Sequence, residues 1–397
     1  MTANRECPIC RNKNDIMLLC KQNFLIPNDY EGLPDEYNIV ECNICGFVYD
    51  DMVASQNIFD NYYARNARYE NMSLYSSASE IKKSGLLRFE DGINEFKSFI
   101  NTNSRILDMG CANGGFLYVL KSHGYHNIVG LDLSEKCVSN VKDLGIDCYN
   151  GGCFSIPDNF SKKFNNNFDL IILSHVIEHI YDVNLAMNTL GKLLNEKGML
   201  YIEVPDASKY YDFYLELNLN PLHFFDLEHI NHFNKETLTN LGKKFGFKVI
   251  NSSEKVALGY PNISMILKKE TDDSGAKLIR YDDKNLKKYV SKSNEDDAKV
   301  KKRLSELVAS QEKIILWGIG AFTLSLFKKG LNDCNVVAIV DSDKKKHGIN
   351  INGIKVEDPE IIKNYEATIV ILPVRFQNEI NQQINEMGTK NKVKSIY

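Results

Sequence analysis

Two aspartates flank a glycine-rich turn between Ile106 and Leu133, and their spacing sets a binding chemistry before any element is assigned. Asp108 is followed by Gly110, Gly114 and Gly115, which let a backbone approach a ligand and open a helix without a Cβ clash. About 20 residues past the turn, Asp132 ends the apolar run Ile128-Val129-Gly130-Leu131, where a carboxylate can accept both hydroxyls of a ribose. A dinucleotide turn, G-x-G-x-x-G, brings amides against a pyrophosphate, but this turn reads D-x-G-x-x-x-G-G. A carboxylate at Asp108 repels pyrophosphate and suits an ammonium. The expected ligand is therefore an adenosine with an amino-acid tail, a dinucleotide being the alternative.

A second constellation, Pro221 to Phe233, holds three histidines and two acids within thirteen residues. His229, an imidazole of the kind that serves as a general base, is suited to take a proton from a hydroxyl or from carbon beside a keto group. Glu228 would orient its ring, and His175 is the second candidate for the base. The alternative is that Glu228 and His229 cap the helix beginning at Asn234-Lys235-Glu236. His179 is expected in a pocket wall, while His223 and His232 are left without a role.

The third constellation is metallic. Cys7-Pro8-Ile9-Cys10 and Cys42-Asn43-Ile44-Cys45 are two C-x-x-C pairs, with 31 residues between them. Four thiolates in tetrahedral array are what structural zinc prefers, and four protein ligands leave no open position for substrate. Cys7, Cys10, Cys42 and Cys45 are the expected ligands of a structural Zn2+, with Cys20 a minor alternative.

The elements that must position these groups are legible. Arg105-Ile106-Leu107 reads as a buried strand and Phe116 to His123 as a helix. Phe168 to Ser174 is a near-continuous apolar run, as a parallel sheet buried on both faces requires. Ser174-His175-Val176-Ile177-Glu178-His179 follows at its C-terminal end, the edge where open α/β sheets bind ligands. A helix from about Val183 to Leu194, a stop at Lys197-Gly198 and a strand from Met199 to Val204 closed by Pro205 complete the order.

From Ser104 to Lys269 this order resembles the class I S-adenosylmethionine-dependent methyltransferases. The resemblance implies a cofactor site lined by Asp108, Gly110, Cys111, Gly114, Asp132, Leu133, Cys153, Phe154 and Ser174. One departure concerns the third strand: members often carry an acid there for the adenine amino group, and Asn150-Gly151-Gly152-Cys153-Phe154 has none. Backbone near Cys153 and the apolar face of Phe154 are expected to hold the adenine instead.

Over nearly its whole length the chain is similar to sugar methyltransferases, known members of which methylate carbon in nucleotide-linked deoxy-keto sugars. These join a zinc-binding N-terminal segment, a class I core and a C-terminal Rossmann-like domain. The residues carrying the likeness are the four cysteines, the Asp108 to Gly114 turn, Asp132, Ser174 to His179, Glu203-Val204-Pro205, and Glu228-His229 with Phe233. The resemblance implies that His229 is the base, although Asp226-Leu227 stands where the family has Tyr-His. Carbon and oxygen methylation both stay open. An RNA or other small-molecule methyltransferase and a non-catalytic S-adenosylmethionine sensor are the alternatives.

Length and charge bound the rest. A chain of 397 residues is expected to hold more than one domain. We read an α/β fold: 1–60 as the zinc-binding module, 61–275 as the methyltransferase domain, 276–312 as a linker helix and 313–397 as a second Rossmann-like domain. In the linker, Val300, Leu304, Leu307 and Val308 recur at helical spacing. The last domain repeats the strand, turn and acid order from Ile314 through Gly318-Ile319-Gly320 to Asp341, a candidate ribose ligand or a strand-end carboxylate. Asn61 to Tyr69, aromatic and basic, reads equally as a lid over the cofactor or a helix packed on the core.

A net charge of −4 and a pI near 6.1 exclude the broad basic footprint of a nucleic-acid binder. The partner expected is a small molecule, a nucleotide-linked sugar, with neither nucleic acid nor membrane. With no apolar run of about 18 residues and no signal-peptide pattern at Met1 to Cys7, the expected location is cytoplasmic. In that compartment the ten cysteines would be ligands or buried thiols.

Overall fold

The computed structural model describes residues 2–26, 32–65, 83–164, 167–257, 259–270 and 278–397. The N-terminal segment forms β1 (Ile16–Asn23), β2 (Glu36–Cys42) and β3 (Val48–Asp51). β4 (Ile106–Met109), β5 (Ile128–Asp132), β6 (Asp147–Asn150), β7 (Phe168–Ser174) and β8 (Leu194–Pro205) alternate with helices. β9 (Asn231–His232), β10 (Phe247–Ala257) and β11 (Tyr260–Lys269) follow.

The central sheet runs β10-β11-β8-β7-β4-β5-β6. Pairing is parallel from β8 through β6 and antiparallel where β11 inserts between β8 and β10. Connections run from β4 outward to β5 and β6, then return to β7 on the other side. The switch point between β4 and β7 opens a crevice at the C-terminal strand ends, where ligands of such sheets bind. Asp108, Asp132 and Ser174 all stand on that edge. This is the α/β, Rossmann-like arrangement expected.

Boundaries shifted where local signals competed with pairing. The helix after the glycine turn is Gly115–Ser122, and the next expected helix is Val183–Leu193. The stop expected at Lys197-Gly198 lies inside β8, whose register slips between the pairs Phe168↔Leu194 and Leu170↔Met199. The sheet absorbs the glycine as an irregularity because the flanking residues still pair.

The smaller sheet, β1-β2-β3-β9, carries β9 antiparallel to β3 in the register Val48↔His232 and Tyr49↔Asn231. Compact units do not follow chain order: one gathers 1–17, 40–208 and 228–282, the other 18–39, 209–227 and 283–397. The amphipathic helix, Lys284–Ser310, falls within the second unit, with Val300, Leu304 and Leu307 buried and Val308 half-buried.

In that second unit β12 (Ile314–Trp317), β13 (Val336–Val340), β14 (Asn350–Ile351), β15 (Ile354–Glu357), β16 (Thr368–Ile371) and β17 (Val393–Ser395) form a sheet of order β14-β15-β13-β12-β16-β17. Asp341 accepts from the Ile319 and Asp343 amides, both at 2.8 Å. Lys346 also donates to Asp341 at 3.0 Å and to the Ile319 carbonyl at 2.7 Å. Of the two readings of Asp341, these contacts support the strand-end carboxylate, since a lysine already neutralises it. Among the described residues no helix is long and apolar enough to cross a membrane.

Candidate active site

The turn after β4 is built by backbone that most residues avoid. Gly110 has φ +73° and Ala112 φ +46°, and their neighbours Gly110 and Cys111 donate amides to the Leu131 carbonyl. This stitches the turn to the end of β5. A Cβ on Gly110 would stand 2.8 Å from Val176 Cγ2. Gly110→Ala is therefore expected to cost about 1–2 kcal/mol in left-handed strain alone. Its ligand affinity should fall with it, measurable by calorimetry; unchanged stability and affinity would show that the turn relaxes freely.

Asp132 is held by the Ala112 amide at 2.8 Å on Oδ2 and the Ser134 amide at 2.9 Å on Oδ1. The two amides orient both carboxylate oxygens at the end of β5. Asp108 is 4% exposed, and its pKa is pushed up to about 7, first by burial and then by Asp132, while Arg88 opposes the shift. A carboxyl held so near neutrality is poised to ionise when a cation arrives.

The other expected cofactor residues gather on the same edge. Cys111 is buried, with its Sγ 3.6 Å from Cys148 Sγ, and Leu133, Phe154 and Ser174 are half-buried. The Cys153 thiol is pushed up to about 12, chiefly by burial and next by Asp60. Asp60 lies on the helix Gln56–Arg65 and accepts from Gln56 at 2.8 Å. Asp60 thus acts on Cys153 from far upstream in the chain, which no local motif signals.

Beyond β7 the chain turns through His175 at φ +56°. Its Nδ1 lies 3.2 Å from Glu178 Oε1 and its Nε2 3.5 Å from Glu203 Oε1. Burial opposes the imidazolium, but the two carboxylates prevail and push its pKa up to about 9. Glu203 also meets Lys255 at 3.2 Å and accepts from Tyr201 at 2.9 Å. His175 is thus clamped between two carboxylates that favour its charged form.

His179 and His229 meet with ring centroids 4.9 Å apart. His179 Nδ1 lies 2.9 Å from the Glu228 carbonyl oxygen and 2.8 Å from the Tyr63 hydroxyl. Glu228 accepts from the Tyr62 hydroxyl at 2.6 Å. Neither Glu228 nor His229 caps the next helix: Asn234 does so, accepting from the Thr237 amide in a reciprocal capping box. Tyr62 and Tyr63 therefore stand against the Glu228–His179 cluster, and of the expected aromatic stretch Asn66 to Tyr69 lies outside the described residues. Their sequence distance from Glu228 and His179 left no signal to find them by.

The four cysteines of the two knuckles converge. Cys7 Sγ lies 3.5 Å from Cys45 Sγ, and Cys10 Sγ 3.4 Å from Cys42 Sγ. All four sulfurs lie within 4.8 Å of one another, which suits four thiolates about 2.3 Å from one zinc ion. Arg11 (φ +61°) and Gly46 (φ +78°) close the two turns, donating amides to the Cys7 and Cys42 carbonyls. A Cβ on Gly46 would fall 1.7 Å from the Tyr281 carbonyl oxygen, so glycine is required. Cys20 is buried and lies outside this group.

Residues 63–252, which carry most of this sheet and its ligand-binding edge, match the family model described as a methyltransferase domain. Residues 310–394 match the model described as C2185-like, N-terminal. The chain is similar to juvenile hormone acid O-methyltransferase of Bombyx mori, 25% identical over 41% of this chain and 60% of that one. It is also similar to ubiquinone biosynthesis O-methyltransferase of Bartonella quintana, 30% identical over 25% of this chain and 40% of the other. The chain thus spans less than two thirds of the curated relatives' length. Among solved structures, magnesium protoporphyrin IX methyltransferase of Synechocystis PCC 6803 with bound SAH aligns over 54% of this chain and 100% of that one, at 11% identity and TM-score 0.42.

Proposed function

We propose that this protein transfers a methyl group from S-adenosylmethionine to a small hydroxylated or keto-bearing acceptor, a nucleotide-linked sugar. The observation that carries the reading is the pairing of buried Asp108 with the ribose-type Asp132 across one glycine turn. Asp108 would take the ammonium of the methionine tail, Asp132 the ribose hydroxyls, and the backbone near Cys153 and Phe154 the adenine, with Gly110, Cys111, Gly114, Leu133 and Ser174 lining the rest. Methyl transfer from a sulfonium is an in-line displacement, so the protein must align donor and acceptor and remove the acceptor proton.

On this reading Glu228 and His229 face the acceptor, and His229 is the proton-accepting group. His175, placed between two carboxylates, positions Glu178 and Glu203 rather than taking a proton. The four cysteines would hold a structural zinc ion, and the domain boundaries proposed are those read from the sequence. A sugar acceptor is supported by the resemblance of the Glu228-His229 pair and of the three-part chain. A location in the cytoplasm accords with reduced cysteines.

The test is mass spectrometry of nucleotide-linked sugars, 4-keto forms included, incubated with S-adenosylmethionine and protein, with His229→Ala alongside. One sugar should gain a methyl with the intact protein, and the variant should lose about 100-fold or more in kcat. No methylated sugar from the panel, with S-adenosylmethionine still bound, would remove the acceptor assignment.

A further inference from the structure

Glu178 is 1% exposed, and its Oε2 has no hydrogen-bond partner among the described residues. An orphaned buried carboxylate oxygen carries its full desolvation penalty, so it calls for a cation or a donor. The adjacent residue offers a lone pair instead. His179 Nδ1 faces the Glu228 carbonyl oxygen at 2.9 Å, and a carbonyl can only accept, so the ring proton sits on Nδ1. Tyr63 oxygen, 2.8 Å from the same nitrogen, shares that proton. Nε2 is left unprotonated and stands 3.8 Å from Glu178 Oε1, too far for a hydrogen bond.

His229 completes the group: one ligand atom from each of Glu178, His179 and His229 lies within 4.8 Å of the others. We propose that these three residues form a second metal site, taking a first-row divalent cation such as zinc. Two imidazoles and a carboxylate match a three-ligand zinc centre with an open fourth position. Magnesium and calcium favour oxygen ligands and are selected against. The tautomer-fixing bond from His179 to the Glu228 carbonyl is the support such ligands usually receive. Ligands on a zinc ion lie about 3.4 Å apart, so closure requires roughly 1 Å of movement, available at the half-buried His229.

Since His229 is assigned above to the acceptor, a cation held beside it would orient and polarise the acceptor's hydroxyl or keto oxygen. That use rests on the methyl-transfer reading, whereas cation binding does not. A lone pair serves one partner at a time, so in the metal-loaded protein the cation would replace His229 as the means of removing the acceptor proton, lowering its pKa so that it passes to water.

The test is metal analysis of full-length protein stripped by chelator and reloaded with Co2+, read by mass spectrometry and visible absorption. Two equivalents are expected, only one of them giving the thiolate charge-transfer band of a cysteine site. Glu178→Gln and His229→Gln should each lose one equivalent and keep that band, while Cys42→Ser loses the band. Circular dichroism checks each fold, and the half-buried His229 variant stands if the Glu178 variant unfolds. A wild type with the thiolate equivalent alone, or folded variants that keep both, would overturn the site. Failure of every sugar to gain a methyl would overturn the acceptor and leave the metal count unchanged.

Discussion

Asp108→Asn should abolish tight S-adenosylmethionine binding and, in the same protein, raise the stability of the ligand-free state. Both effects come from one buried carboxyl whose pKa is pushed up to about 7, mainly by burial and then by Asp132. An acid with a raised folded-state pKa binds its proton more tightly folded than unfolded. Its folded state therefore loses stability as pH rises from the ordinary value of 3.8 through about 7, and the loss is complete above. Shifted by that much, the ionised group costs the fold about 4 kcal/mol. Asparagine removes the charge, so at pH 8 the ligand-free variant should melt several degrees higher, with a much smaller gain near pH 4.

Ligand binding reverses the balance. The ammonium of the methionine tail favours the carboxylate, and a charge-assisted bond of this kind is worth about 1.5–3 kcal/mol, roughly 10- to 100-fold in Kd. Because the ligand-free group must first ionise, the wild-type Kd should rise toward tenfold per pH unit below 7. The asparagine variant should bind weakly at every pH from about 5.5 to 7.5. Titration calorimetry across that range separates the outcomes, and a wild-type affinity independent of pH would sink the assigned role of Asp108.

The cofactor edge was readable because it is local. Asp108, Gly110 and Asp132 sit within one strand, turn, helix and strand, and parallel pairing of β4 with β5 makes sequence order into spatial order. The convergence of the two cysteine pairs was readable for the same reason, since each C-x-x-C closes its own turn. What lay hidden is assembled across distance. Tyr62 reaches Glu228 over 166 residues and Tyr63 reaches His179 over 116, with no periodicity to mark either pair. Glu203 was visible as part of a strand end, but its contact with His175 depends on the parallel register Ser174↔Glu203 and on the positive φ of His175. Capping was misplaced as an option because acids near a helix start look alike until the backbone shows that the Asn234 side chain accepts from the Thr237 amide.

Cys42→Ser is expected to unfold more than the zinc-binding segment. If the four cysteines formed an independent module, losing its ion would leave the methyltransferase domain intact. The packing argues otherwise. Ala3, Cys7, Ile9, Cys42, Cys45 and Phe47 share one buried apolar cluster with Leu107, Val129, Leu173 and Ile202 of the central sheet. Arg5, two residues before the first ligand, is buried and donates to the Ile180 and Tyr181 carbonyls and to Asn231. Asn231 in turn donates to the Ile177 and Ile180 carbonyls, fixing the loop that carries Glu178 and His179. Structural zinc contributes on the order of 10 kcal/mol of apparent binding energy, comparable to the net stability of a whole domain. Losing it should lower the melting temperature by more than about 10 °C and reduce S-adenosylmethionine affinity through the shared core. The check pairs zinc content with calorimetry and ligand titration on Cys42→Ser and on Cys20→Ser. Only the first should fail, because Cys20 lies outside the ligand group. A Cys42→Ser protein that has lost its zinc yet melts and binds like the wild type would show that the knuckles are an appendage and that the shared core holds without them.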